Sequence, residues 1–208
     1  MTFGKKTLAP KHVGALSEMS RQLIQQSSPD IEQLLRDDMA FALAQAIDSA
    51  MIKGGGANEP TGILATVGIQ TASLSTLNYA NVLAMLKLAE MVNSESAAWI
   101  TSPQVMAKLR GTLKATGIAG YLSEAGQLAD LPISSTKQVP LNTTTGQLIL
   151  GDFSQVMLGI WSELDLLINP FDSTAYARGG VLVRAMATCD IAIRHPEAFV
   201  VASDIVVV

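Results

Sequence analysis

A chain of 208 residues is long enough for one domain or two small ones, with a sizeable core in either case. Apolar residues at 49% exclude a disordered tail or an acidic scaffold, and charged residues at 15% fall well below the roughly 25% of an average globular protein. The net charge of −4, with no basic stripe, excludes ordinary nucleic-acid recognition, and no run of about 18 uncharged apolar residues is present to cross a membrane as a helix.

Thr7-Leu8-Ala9-Pro10-Lys11-His12-Val13 reads as extended, because the residue before a proline is driven out of the helical region. Ser17 to Gln26 reads as a short helix with Met19, Leu23 and Ile24 on one side. Ser28-Pro29-Asp30 starts a second helix: a serine N-cap, proline at the first helical position, and an acid facing the positive end of the dipole. Apolar residues then recur at Ile31, Leu34, Leu35, Met39, Leu43, Ala46, Ile47, Ala50 and Met51, the spacing of one buried stripe. Lys53 sits near the negative end, and Gly54-Gly55-Gly56 stops the helix. About 25 residues give about 37 Å at the standard rise, twice the usual length, so this helix is a spine.

Gly54 to Gly62 reads as a loop. A helix is expected from Asn78 to Val92 with Val82, Leu83, Leu86 and Ala89 inward, followed by a short strand from Ala97 to Thr101. Ser102-Pro103 opens a further helix through Val105, Met106 and Leu109 to Gly111. Residues 111–131 read as loop with little regular structure. Strands are expected at Ile133–Val139, Gln147–Leu150, Val156–Trp161, Leu164–Ile168, Val181–Thr188, Ile191–Arg194 and Phe199–Ala202. Helices come first and strands later, which predicts an α+β fold.

Few residues invite chemistry. Gly54-Gly55-Gly56 follows a helix and lacks the Lys-Ser/Thr of a phosphate loop, while Gly4-Lys5-Lys6-Thr7 has that ending but no upstream glycine. His12 and His195 have no histidine or cysteine at ligand spacing, so no metal site is expected. Glu197 follows His195 by two, but the downstream cysteine pair of a zinc deaminase is missing, and His195-Pro196 reads as a bend between strands. Cys189 reads as a buried, inert thiol. Asp37 and Asp38 point about 100° apart on their helix and cannot meet one substrate. Asp152, after Gly151, is either catalytic or closes a turn through its side chain, and the turn is the simpler reading. Met39, Met51, Met85, Met91 and Met106 read as core filling in helices. No catalytic, cofactor-binding or metal-binding residue is expected.

The composition carries a further hint. Aromatics are 5%, and the apolar count is mostly Ala, Val, Ile and Leu with nine Met. A chain this poor in charge leaves apolar surface bare or covers it with copies of itself, which points to an oligomer. The single cysteine excludes an intrachain disulfide framework, and Met1 to Pro10 has two lysines with no apolar stretch behind them, so a reducing cytoplasm is expected rather than secretion.

Four stretches together resemble the major capsid proteins of tailed bacteriophages, the family of the Hong Kong 97 fold. The first is Ala50-Met51-Ile52-Lys53-Gly54-Gly55-Gly56 with Glu59-Pro60-Thr61-Gly62-Ile63-Leu64. The second is Ala98-Trp99-Ile100-Thr101-Ser102-Pro103 with Gly120-Tyr121-Leu122. The third is Leu131-Pro132-Ile133 with Leu148-Ile149-Leu150-Gly151-Asp152-Phe153-Ser154. The fourth is Val181-Leu182-Val183-Arg184 and Arg194-His195-Pro196-Glu197-Ala198-Phe199-Val200. Their order and spacing span most of residues 5–202.

The resemblance implies a Hong Kong 97-like capsid fold. Residues 1–59 would form a peripheral domain with the spine helix, residues 60–165 an axial domain, and residues 166–208 strands returning to the peripheral domain. It implies a structural, non-enzymatic phage or prophage shell protein, a fragment or truncated form. The chain would associate with copies of itself into pentamers or hexamers of an icosahedral DNA-containing shell, the virion capsid, assembled in the bacterial cytoplasm. It implies no cofactor, no membrane and no specific nucleic-acid recognition. Family members carry an N-terminal arm and a long two-stranded loop before the Thr7-Leu8-Ala9-Pro10 region, and the expectation is that this chain lacks both. Some members form a Lys–Asn isopeptide bond assisted by a Glu. The positions nearest to the Asn and Glu here are Gly179-Gly180 and Met186, so no such bond is expected. The alternatives are an encapsulin-like compartment shell, which shares the fold but encloses enzymes, and a small α+β hydrolase using Asp152 or Glu59.

Overall fold

The fold is described from a computed structural model covering all residues except 1–4, 21, 23–25, 27–29, 56, 94–97, 116–117 and 208. Strand β1 (Lys11–Ser20) leads to helix α1 (Asp30–Lys53). Strand β2 (Gln70–Ala72), helix α2 (Tyr79–Glu90), strand β3 (Ala98–Thr101) and helix α3 (Pro103–Gly111) follow. Next come the short strands β4 (Leu113–Ala115), β5 (Ile118–Tyr121), β6 (Ser123–Glu124), β7 (Gln127–Leu128) and β8 (Leu131–Ser135). Strands β9 (Thr145–Gly151), β10 (Val156–Asn169), β11 (Gly180–Ile193) and β12 (Phe199–Val206) complete the chain, with a short helix α4 (Ser173–Ala177) between β10 and β11.

The larger sheet is seven-stranded, in the order β2-β12-β9-β3-β8-β7-β6. Its interior strand β9 buries consecutive apolar residues on both faces. Leu148 and Leu150 join Val82, Met85, Val105 and Leu109 of α2 and α3 on one side, while Ile149 joins Ile63, Val139 and Phe199 on the other. An uninterrupted apolar run is what a strand covered on both faces requires. Trp99 of β3 is fully buried, and its indole N–H donates to the Leu128 carbonyl at 2.9 Å. The second sheet is three-stranded, β1-β11-β10, with α1 against one face. Met39 and Leu43 of α1 pack there on Met19, Val183 and Ala185. At 24 residues, α1 is about 36 Å long.

Several expectations need correction. The helix expected at Ser17–Gln26 is strand as far as Ser20 and helical at Gln22 and Gln26. Val13, Ala15 and Met19 alternate toward α1 while His12, Leu16 and Glu18 face outward, and β11 supplies the ladder that overrides local propensity. Leu23 and Ile24 lie outside the described residues, as do Ser28 and Pro29 of the expected helix start. The buried stripe of α1 is narrower than expected: Met39 and Leu43 are buried and Leu35 partly so, but Leu34 and Ala46 are exposed. A sheet of three strands touches only one edge of the helix. In α2 the inward residue is Met85, not Leu83. Residues 111–131, read as loop, hold the antiparallel pairs β4–β5 and β6–β7. The strand expected at Ile133–Val139 is β8, and Val139 is buried beyond its end.

The expected division of the chain also shifts. A boundary at 165/166 falls inside β10, whose whole length lies in the three-stranded sheet. Strand β12, placed by sequence with the returning peripheral strands, lies in the seven-stranded sheet between β2 and β9. Its residues Val200 and Ala202 pack on one side and Phe199 and Val201 on the other, so it needs the doubly covered position.

Candidate assembly surface

The three-stranded sheet has one covered face and one open face. In register across the open face lie Leu16 of β1, Arg184 of β11 and Leu167 of β10, all exposed. Strand β10 forms one edge of this sheet. Its fourteen residues lie opposite the twelve from Leu182 to Ile193 of β11, with register shifts between Ile160 and Ser162 and between Ser162 and Asp165. Two bulges so close together twist the strand and break up its outer hydrogen-bonding edge, so another strand cannot add flat against it.

This edge is apolar. Met157, Leu158, Ile160, Trp161, Leu164, Leu167 and Ile168 are all exposed, with Ile160 at 60%. The apolar surface continues onto the β10–β11 turn, where Phe171 is 83% exposed. Asp172 caps α4 in that turn, its carboxylate accepting from the backbone N–H groups of Thr174 and Ala175, both at 3.1 Å. The cap fixes a turn that presents Phe171 and Tyr176 outward. These side chains flank the edge from both faces of the sheet: Leu158, Ile160 and Ile168 pair with Ile191, Cys189 and Val183 on the α1 side, Met157 and Leu167 with Ala192 and Arg184 on the open side. So many exposed apolar side chains on one edge mark a contact site. Because the bulges spoil ladder addition, this one offers side-chain packing instead.

Several of the residues singled out for chemistry fall into two open depressions. One, of about 540 Å³, brings together Asp152, Gln155, His195 and Glu197. Asp152 is buried and occupied by its own turn: Oδ1 accepts from the Ser154 N–H at 3.0 Å and Oδ2 from the Gln155 amide at 2.8 Å. Burial alone would raise its pKa, but the bonds from Gln155 and Ser154 outweigh that and hold it below the usual 3.8. Asp152 therefore closes the turn between β9 and β10. His195 and Pro196 begin the short turn joining β11 to β12, as expected.

The second depression, of about 380 Å³, lies between β1 and the end of α1 and includes Lys11, His12, Lys53, Glu59 and Cys189. Lys11 donates to the Glu59 carbonyl, and the His12 ring bonds the Thr188 hydroxyl at 2.9 Å. Glu59 itself is exposed and lies far along the chain from Asp152, in a different depression. Cys189 is buried, and desolvation followed by the neighbouring Asp190 charge pushes its thiol pKa up, which suppresses the thiolate. Asp37 accepts from the Gln33 amide at 2.8 Å, and it and Asp38 are exposed. Lys5, Lys6 and Thr7 are exposed, while Gly4 and Gly56 lie outside the described residues. Among the methionines, Met39, Met85 and Met106 are buried, Met51 is half-buried, and Met91, expected in the core, is exposed just past α2. Gly180 begins β11 opposite Ser20, and Met186 pairs with Gly14 and Asp165. Among the described residues no group of three or more His, Cys, Asp or Glu side chains is placed to hold a metal.

Sequence reasoning missed the β10 surface. The signal was present as a run from Val156 to Ile168 too apolar on both parities for a half-buried strand.

A seven-stranded sheet carrying two helices, joined by a long helix to a separate three-stranded sheet, is the architecture of shell-forming proteins with the Hong Kong 97-like fold. The capsid of a native GTA particle computed with C5 symmetry superposes with a TM-score of 0.76 at 20% identity, over 95% of this chain and 73% of that one. The Gordonia phage Cozz structure gives 0.73 at 16% identity, over 95% and 71%. The holo-SrpI encapsulin complex from Synechococcus elongatus PCC 7942 gives 0.67 at 17%, over 96% and 75%. A family model described as the phage capsid family matches residues 1–204, and the chain belongs to that family. It is 25% identical over 209 residues to the major capsid protein of Halomonas phage phiHAP-1, covering 96% of this chain and 33% of that protein. To the major capsid protein of Klebsiella oxytoca phage phiKO2 it is 24% identical over 229 residues, covering 98% and 54%. The chain thus spans between a third and about half of the length of these curated relatives.

Proposed function

We propose that this chain is the folded body of a phage or prophage capsid subunit that associates with copies of itself into pentamers and hexamers of an icosahedral, DNA-containing shell. The role is structural and non-enzymatic, and the shell is assembled in the bacterial cytoplasm. The seven-stranded sheet with α2 and α3 is the axial body, and α1 with the three-stranded sheet the peripheral one. The observation that carries the reading is the exposed apolar surface from Met157 to Ile168 on the edge strand β10, continued by Phe171 and Tyr176 beyond its end. Such a surface is covered when identical subunits close around a symmetry axis. DNA is enclosed rather than read, in keeping with the net charge of −4.

The similarity to an encapsulin supports a second reading, a compartment shell enclosing an enzyme. Electron microscopy and content analysis of purified particles test the two. Packaged DNA is the expected result, and a protein cargo without DNA would favour the compartment.

A further inference from the structure

The chain does not enter β1 along the line of the strand. The ladder with β11 begins at the Lys11–Cys189 pair, since Pro10 has no N–H to give. Just before it, the backbone N–H of Ala9 donates to the carboxylate of Asp190 at 2.7 Å, a bond between residues 181 positions apart. Asp190 is 6% exposed and stands on the open face of the sheet, the face of Leu16 and Arg184. Its partner on β10 is Gly159, and Leu8 lies over that glycine: a Cβ there would be 3.0 Å from Leu8 Cδ1. Residues 8 and 9 therefore cross the sheet from β1 over β11 to β10. They end beside Trp161, whose ring lies 3.5 Å from the same Cβ position.

This crossing is held lightly. Thr7 and Ala9 are exposed and Leu8 only half-buried, so among the described residues one hydrogen bond and one side chain fix it. Segments with so few buried contacts open at low free-energy cost. It also lies over Gly159 on the open face, between the exposed Met157 and Trp161 of the apolar edge.

We propose that residues 7–9 are a strap, latched by Asp190 in the free chain, that must lift before a second copy of this chain packs on the β10 edge. The occupant is a second copy because the covered stretch is continuous with the surface assigned above to contacts between copies, on which the proposal rests. The strap holds back association until that contact displaces it.

Hydrogen exchange and sedimentation test this together. The Ala9 amide should be protected in the 208-residue chain, and Asp190→Ala should accelerate its exchange about tenfold or more, the loss of one charge-assisted bond. Asp190→Asn, whose carboxamide oxygen still accepts, should restore most of the protection. Association of Asp190→Ala should shift to concentrations lower by the same factor, since the lifted fraction enters the apparent affinity directly. Leu8→Ala removes the other anchor without touching the buried acid and should act in the same direction if Asp190→Ala does not fold. An unprotected Ala9 amide in the unaltered chain would overturn the strap. So would faster exchange with association unchanged. If no variant associates at any concentration while the exchange results hold, the β10 contact reading fails and the proposal with it.

Discussion

The backbone N–H of Gly62 donates to the carbonyl of Gly54 at 2.7 Å, and neither residue has room for a Cβ. At Gly54 a Cβ would stand 2.3 Å from the Pro60 carbonyl oxygen, and at Gly62 it would stand 2.4 Å from that of Ala50. Both neighbours are backbone and cannot swing away. The glycine-rich exit of α1 is therefore a lock that folds the loop onto the last helical turn. It brings Ile63 into the same core cluster as Ile52 and so ties the spine helix to the larger sheet.

From this lock, Gly62→Ala should cost about 1–3 kcal/mol or more, as overpacking against fixed atoms does. A lower urea midpoint with an unchanged slope is the expected reading. Gly111→Ala is the control: it ends α3 with nothing within 4 Å of the added methyl, and should be neutral or slightly stabilising. Equal behaviour of the two variants would refute the lock.

The buried and exposed positions of α1 are separable by charge. Leu43 is 4% exposed against Met19, Val183 and Ala185, so Leu43→Asp buries an unpaired carboxylate and should cost several kcal/mol, roughly 4 or more. Ala46→Asp, one turn on but exposed, should melt within a degree or two of the unaltered chain, roughly. Thermal denaturation of both proteins reads the difference directly.

Acid should loosen the edge of the larger sheet. Asp204 sits where the β12–β9 register shifts, between Ala202 and Ile205, and its carboxylate accepts from the Leu74 N–H at 2.7 Å and from the Ser73 hydroxyl. Desolvation would raise its pKa, but these bonds outweigh it and hold the group below its ordinary 3.8. A depressed folded-state pKa means the stabilisation is present above 3.8 and is lost as pH falls through the folded value. Asp152, depressed for the same kind of reason, adds to the effect. Stability should thus fall below pH 3.8, and Asp204→Asn should flatten part of that fall. A pH profile unaltered by Asp204→Asn would contradict the assignment.

The absence of an asparagine side chain at Gly179-Gly180 has a chemical consequence. Glu18 crowds the Gly180 position, 2.8 Å from where a Cβ would stand, and forms an ion pair with Arg178 at 4.0 Å. Boiled, reduced samples should run as one band near 21.9 kDa after incubation under assembly conditions. A thiol-insensitive ladder would disprove it.

Much of this fold was legible. The spine helix announced itself through its apolar spacing and glycine stop, and α3 through Ser102-Pro103. The pause between Trp161 and Leu164 that split the sequence reading into two strands is where β10 carries its bulges. The turns within 123–131 were hidden because their signals are in unusual letters. Ala125 and Gly126 have φ of 51° and 76°, and Ala129 and Asp130 have φ of 49° and 63°. These are positive-φ pairs of the kind a two-residue hairpin demands, but alanine stands where asparagine or glycine is usual. The first residues of β1, Lys11–Val13, read as extended, but the rest of the strand was missed because small residues such as Gly14, Ala15 and Ser17 blur its alternation. The β10 surface was missed because only the tertiary pairing shows which apolar residues are left bare.

Sedimentation velocity over a wide concentration range, comparing the unaltered chain with Ile160→Asp, tests the central claim most directly. Ile160 is 60% exposed, so the substitution leaves the single chain folded. The account predicts that the unaltered chain forms faster-sedimenting species as concentration rises, and that Ile160→Asp stays at the single-chain value over the same range. Identical sedimentation of the two proteins at every concentration would contradict it.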